Sequence, residues 1–89
     1  MRNEANTFLK NELRSLAIKT RARLKLTQKE MAVMLVMNES SYSKIETGKV
    51  MCGTLTAMIL VSRQEYPDVF LQDLWDKLKE KSKGGTISK

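Results

Sequence analysis

The sequence has no histidine, one cysteine, one proline and one tryptophan, and aromatic residues make up only 6% of it. With no histidine and Cys52 alone, neither a metal site built on Cys and His nor a His-based triad can form within one chain. A single cysteine also excludes an internal disulfide, and Cys52 is expected to be a small, inert loop residue. There is no long hydrophobic run: the longest, Met31–Met37, falls far short of the roughly 20 residues of a membrane span. The N-terminus lacks the apolar segment of a signal peptide, so a cytoplasmic protein with no membrane association is expected. Ser, Lys and carboxylate side chains are present, but without a general base or a glycine-rich phosphate loop. Neither an enzyme nor a bound cofactor or metal is expected.

What the chain has in excess is positive charge, +6 over 89 residues, unevenly placed. Residues 1–25 are strongly basic, 26–50 are balanced, 51–76 are acidic and 77–89 are basic again. A basic surface gathers polyanions, nucleic acid among them, although the same charge also serves solubility. Eighty-nine residues suit one domain with a modest core. The expected layout is a single domain over residues 1–81, with its core in 14–63, a C-terminal helix over 67–81 and a mobile tail over 82–89 containing Gly84 and Gly85.

Hydrophobic spacing predicts helices throughout. Roughly over residues 4–25, Leu9, Leu13, Leu16, Thr20 and Leu24 fall on one stripe with Ala17 beside it. Lys10, Arg14, Arg21 and Lys25 form a basic stripe about a quarter-turn away, either a solvated face or a polyanion contact. The run Ala32–Met37 alone could pass for a buried strand. Thr27 and Glu30 decide otherwise: they form a capping box, with Leu26 and Met31 as the hydrophobic staple, so a helix through about residue 35 is expected. Asn38 is a good N-cap for a third helix, Glu39–Thr47, stopped by Gly48. Tyr42, Ile45 and Glu46 face inward. Glu39, Ser40, Ser43, Lys44 and Thr47 face outward, with Ser41 at the edge.

A fourth helix is predicted from Gly53 or Thr54, with Leu55, Met58, Ile59 and Ser62 on one face. Pro67 opens a fifth, with Asp68 favouring its positive end. Phe70, Leu71, Leu74, Trp75 and Leu78 make its broad apolar stripe. Met31, Met34 and Met58 are expected in the core. Trp75 belongs either to the core or to a dimer contact. Lys77, Lys79, Lys81 and Lys83 are read as a solubilising end, with DNA contact as the alternative.

Two short helices joined through Val36-Met37-Asn38 make a helix-turn-helix, whose second helix enters the DNA major groove. Here Leu26-Thr27-Gln28-Lys29-Glu30-Met31-Ala32, followed by Leu35, Asn38, Ser43, Ile45, Glu46 and Gly48, resembles the phage-repressor-like (Cro/XRE-type) helix-turn-helix domain over about residues 17–62. The resemblance implies an all-α, lambda-repressor-like bundle of four or five helices that binds double-stranded operator DNA as a homodimer. It implies that Gln28 contacts backbone phosphate, that Glu39, Ser40 and Lys44 face bases, and that Ser41 and Ser43 add contacts. Thr47 and Lys49 would touch the backbone. With the caps Thr27 and Asn38 these complete the candidate DNA-binding set. Arg21 and Glu46 match a charged pair tying the first helix to the third.

Three departures stand out. Val36 occupies a turn position usually held by glycine, where a left-handed conformation would cost about 1–2 kcal/mol. Tyr42 replaces an aliphatic residue and needs a partner for its hydroxyl. The recognition helix is not basic, with Lys44 set against Glu39 and Glu46, although a glutamate can accept from cytosine N4. The expected function is a sequence-specific transcriptional regulator, a repressor. The rival is a protein-interaction module, or an antitoxin-like protein with a protein partner, on the same fold.

Overall fold

The computed structural model describes residues 2–83, with side chains placed from 6 to 81. It contains five helices: α1 (Arg2–Leu24), α2 (Gln28–Met34), α3 (Glu39–Glu46), α4 (Thr54–Ser62) and α5 (Pro67–Lys83). Among the described residues there is no strand, so the fold is all-α, as expected. Among the described residues no helix is long and apolar enough to cross a membrane. The expected tail shortens, because α5 continues two residues past 81; positions 84–89 lie outside the described residues.

Side chains start the short helices. Thr27 Oγ1 accepts from the Glu30 amide at 3.1 Å while Glu30 Oε1 accepts from the Thr27 amide at 2.8 Å, the reciprocal box expected from sequence. Asn38 Oδ1 accepts from the Ser41 amide at 2.8 Å.

Backbone hydrogen bonds stop the first three helices, each in the same way. A residue of positive φ just past the helix donates three residues back, and its successor donates five residues back. Lys25, Val36 and Gly48 occupy that position with φ of 59°, 59° and 79°. Leu26 N–H donates to Arg21 O, Met37 N–H to Ala32 O and Lys49 N–H to Lys44 O. Only at Gly48 does the sequence supply the residue that accepts this conformation without strain. Val36 does take up the left-handed conformation, and its side chain is 80% exposed.

Leu13, Leu16 and Ala17 of α1, Met31, Ala32 and Leu35 around α2, Tyr42 and Ile45 of α3, Cys52 and Leu60 form the core. Long α1 packs against α3, α4 and α5, whereas α2 packs chiefly on α3. Ala32, 1% exposed, has only a methyl group, which suits the close approach of α2 to α3. Cys52 lies in the α3–α4 loop with its thiol in the core, and burial raises its pKa, keeping it protonated at neutral pH.

Several expected core positions lie at the surface instead. Leu24 is exposed at the end of α1, where the chain turns away at Lys25. In α4, Leu55 and Met58 point to solvent while Thr56 and Leu60 are buried. That helix is apolar around most of its circumference, so spacing alone cannot show which side faces inward. Met58 is therefore not a core methionine. On α5, Leu71 and Trp75 are exposed, and among its described side chains only Phe70 packs directly against the core. Lys77, Lys79 and Lys81 are part of α5 rather than a free end. Lys77 bridges Glu12 and Asp73, Lys79 lies over Trp75, and Lys81 lies over Phe8 of α1.

Candidate nucleic-acid interface

The exposed side of α3 follows from its eight-residue pattern. Tyr42, Ile45 and Glu46 are buried. Glu39, Ser40, Ser41, Lys44 and Thr47 are exposed, and Ser43 is half-buried. The helix is about 12 Å long, short enough for its polar side to lie within a major groove.

What fixes α3 in place is the carboxylate of Glu46, which accepts four hydrogen bonds. Its Oε2 takes Arg21 Nε at 2.6 Å and the Tyr42 hydroxyl at 2.5 Å; its Oε1 takes Gln28 Nε2 at 2.9 Å and Arg21 Nη2 at 3.1 Å. Arg21 Nη1 donates in addition to Leu26 O at 3.2 Å. One buried anion thus ties together α1, the start of α2 and the end of α3. The expected Arg21–Glu46 pair is present, and the Tyr42 hydroxyl has its partner.

The electrostatics follow from that arrangement. Burial opposes ionisation of Glu46, but donation from Arg21, Tyr42 and Gln28 outweighs it, and the pKa is lowered. Tyr42 is pushed up, first by burial and then by its bond to Glu46, so it stays a neutral donor. Hydrogen bonding to Glu46 raises Arg21 against the opposing effect of burial. Glu46 is therefore not an exposed acid on the recognition helix. The charge that α3 presents is Glu39 against Lys44, with Lys49 exposed just beyond.

The other sequence-expected residues divide by position. Gln28 is tied by its amide to the C-terminal end of α3, near Thr47 and Lys49 in the chain. Thr47 Oγ1 donates to Lys44 O at 3.3 Å, an intrahelical bond, and leaves its methyl group and a hydroxyl lone pair free. Asn38, Glu39, Ser40 and Ser41 gather at the other end of α3, one helix length away. The acceptor oxygens of Thr27 and Asn38 are occupied by backbone amides of their own helices, so both act first as caps.

Arg14, placed by the sequence only on the basic stripe, makes a specific contact with the end of α3. Arg14 Nε donates to Glu46 O at 2.6 Å, and the side chain lies across Gly48, where an added Cβ would come within 3.5 Å of Arg14 Cδ. The signal was its place on the basic stripe two helical turns before Arg21.

A Cro/C1-type helix-turn-helix (XRE) family model matches residues 18–64, from the last two turns of α1 to just beyond α4. The chain belongs to this family. Comparison with curated proteins and with solved structures returned no match. Membership in the helix-turn-helix family makes the chain a DNA-binding transcription regulator. In its terms, α2 and α3 are the two helices of the motif, and Val36 marks the turn between them.

Proposed function

We propose that this helix-turn-helix protein represses transcription by occupying a specific operator as a homodimer, with the outward side of α3 against the bases. The observation that carries this reading is the division of α3. Glu39, Ser40, Ser41 and Lys44 face out and Ser43 is half-buried, while Glu46 and Tyr42 are consumed inside, so the contacts that hold the helix do not use its exposed polar side. Glu39, Ser40 and Lys44 read bases, and Ser41 and Ser43 add hydrogen bonds. Gln28, Thr47 and Lys49 contact the backbone, and Thr27 and Asn38 set the two helix starts against it.

A helix of this length reaches only a few base pairs, so a specific site calls for two copies. The second copy has a surface to use. Leu9, Leu13, Met51, Met58, Leu71 and Leu74 line an open apolar groove of about 500 Å³ between α1, α4 and α5. Leu55 and Trp75, both more than half exposed, extend the apolar surface of α4 and α5. No residue of α2 or α3 lines the groove, so closing it with a partner leaves α3 free. The same groove is what a protein-interaction reading would use, but that reading gives the exposed groups of α3 no task.

The test is selection of binding sites from random duplex DNA, followed by affinity against salt. The expected outcome is a pseudo-palindromic site and affinity that falls steeply with added salt. Lys44→Ala should relax preference at one base position by about 1–3 kcal/mol. Failure to enrich any sequence, with binding to a protein partner unaffected by substitutions on α3, would overturn the proposal.

A further inference from the structure

Two arginines of α1 reach the end of α3, and they differ in what they have left to give. Arg21 is used up: Nε and Nη2 hold Glu46, and Nη1 holds Leu26 O. Arg14 spends only Nε, on Glu46 O. Its two Nη groups have no protein partner among the described residues, which leaves four of the five guanidinium N–H donors unused. The side chain is half-buried, and its stem is pinned along Gly48. The guanidinium is thus preorganised in a way that a solvated surface arginine is not.

The chain beside Gly48 carries one cation, Lys49. Thr47 and Lys49 flank Gly48 in the chain and are exposed. The acid at the end of α3, Glu46, directs its carboxylate to Arg21, Tyr42 and Gln28 and offers Arg14 only its backbone oxygen, and Glu12, two residues before Arg14, is bridged by Lys77. Beyond Lys49 the α3–α4 loop, Val50-Met51-Cys52-Gly53, has no cation at all. A phosphate alongside the end of α3 would find its charge partners in Lys49 and in whatever α1 supplies.

We infer that Arg14 is a further DNA-binding residue, with its free Nη groups donating to a backbone phosphate beside the C-terminal end of α3. The fork geometry suits a phosphate oxygen pair, and the bond to Glu46 O fixes its direction. This inference rests on the DNA-binding reading above and adds to it a contact from α1, outside the two helices of the motif. Because phosphate carries no base identity, the contact adds affinity and register rather than sequence preference.

The test measures affinity against salt for the full chain on its selected duplex and on a scrambled one, with the parent, Arg14→Met and Arg14→Lys. Circular dichroism and thermal melting without DNA establish that each variant is folded at the binding temperature. Arg14→Met should make the slope of log affinity against log salt shallower by about 0.9 per protomer, about 1.8 for the dimer, the loss of one phosphate contact from each copy, with equal fractional weakening on both duplexes. Arg14→Lys should keep most of the parent slope, because the charge is retained. A residue that only caps α3 would lower the melting temperature of Arg14→Met and leave the slope unchanged, and that outcome overturns the inference while the DNA reading stands. A parent that shows no salt-dependent binding overturns both.

Discussion

Replacing Glu46 by glutamine asks whether the carboxylate, rather than its shape, holds α3 against α1 and α2. A glutamine offers one carbonyl oxygen and turns an NH2 group toward the remaining donors. Of the four donors that Glu46 now satisfies, two lose their acceptor, and Arg21 loses its counter-charge. An unsatisfied buried donor costs about 1–3 kcal/mol, and removal of one partner from a fully buried ion pair costs about 3–5 kcal/mol. The Arg21 side chain keeps 28% of its exposure, so water recovers part of that loss. The expected destabilisation is about 2–4 kcal/mol at neutral pH, a large share of the roughly 5–15 kcal/mol of a small domain.

The assay is urea unfolding followed by circular dichroism, with the midpoint falling at an unchanged slope. Acidification supplies an independent check. Because the folded-state pKa of Glu46 is lowered, the unfolded chain binds more protons between that value and the ordinary carboxylate value of 4.5. The Glu46 contribution is complete above 4.5 and is lost as pH falls through the folded-state value. Glutamine has no such loss, so the stability gap between parent and variant should narrow in acid. A destabilisation below about 1 kcal/mol at neutral pH, or a gap that stays constant on acidification, would refute the reasoning.

Two further outcomes are expected. Val36→Gly relieves about 1–2 kcal/mol of left-handed strain, offset by about 0.5–1 kcal/mol of added unfolded-state entropy, and loses little burial. The variant should melt several degrees higher, and a lower melting temperature would show that the valine packs in the native turn. Leu71→Lys, at a position 49% exposed, should leave the monomer folded while sedimentation shows a shift from dimer to monomer. A parent that is monomeric at high micromolar concentration, or a dimer indifferent to this change, would remove the groove from the account.

The motif was legible because its signals are chemical and local. The Thr27–Glu30 box and the Asn38 cap name their own hydrogen bonds, and they override the strand-like run that follows Ala32. Arg21 and Glu46 were legible only as a matched pair from a family resemblance, since residues 25 apart say nothing about contact. The inward side of α4 was not legible, because a helix apolar nearly all round gives periodicity nothing to distinguish. The exposure of Leu71 and Trp75 was hidden for a related reason: a stripe reports an apolar face but not whether the same chain covers it. At Lys25 and Val36 the backbone takes a glycine-like conformation because hydrogen bonding to the preceding helix outweighs local preference; the family's glycine position flagged Val36, whereas nothing announced Lys25. Arg14 was read as one member of a stripe, and its particular bond to the end of α3 depends on how α1 crosses that helix.

The most direct test of the α3 assignment is a titration of the isotope-labelled chain with its selected duplex, following every backbone amide by NMR. The expected result is that the largest shifts fall on Glu39–Thr47, Gln28 and Lys49, with Leu55, Met58 and Leu71 unmoved beyond any dimer effect. Shifts concentrated on α4 and α5 with α3 silent would contradict the claim that α3 is the reading surface.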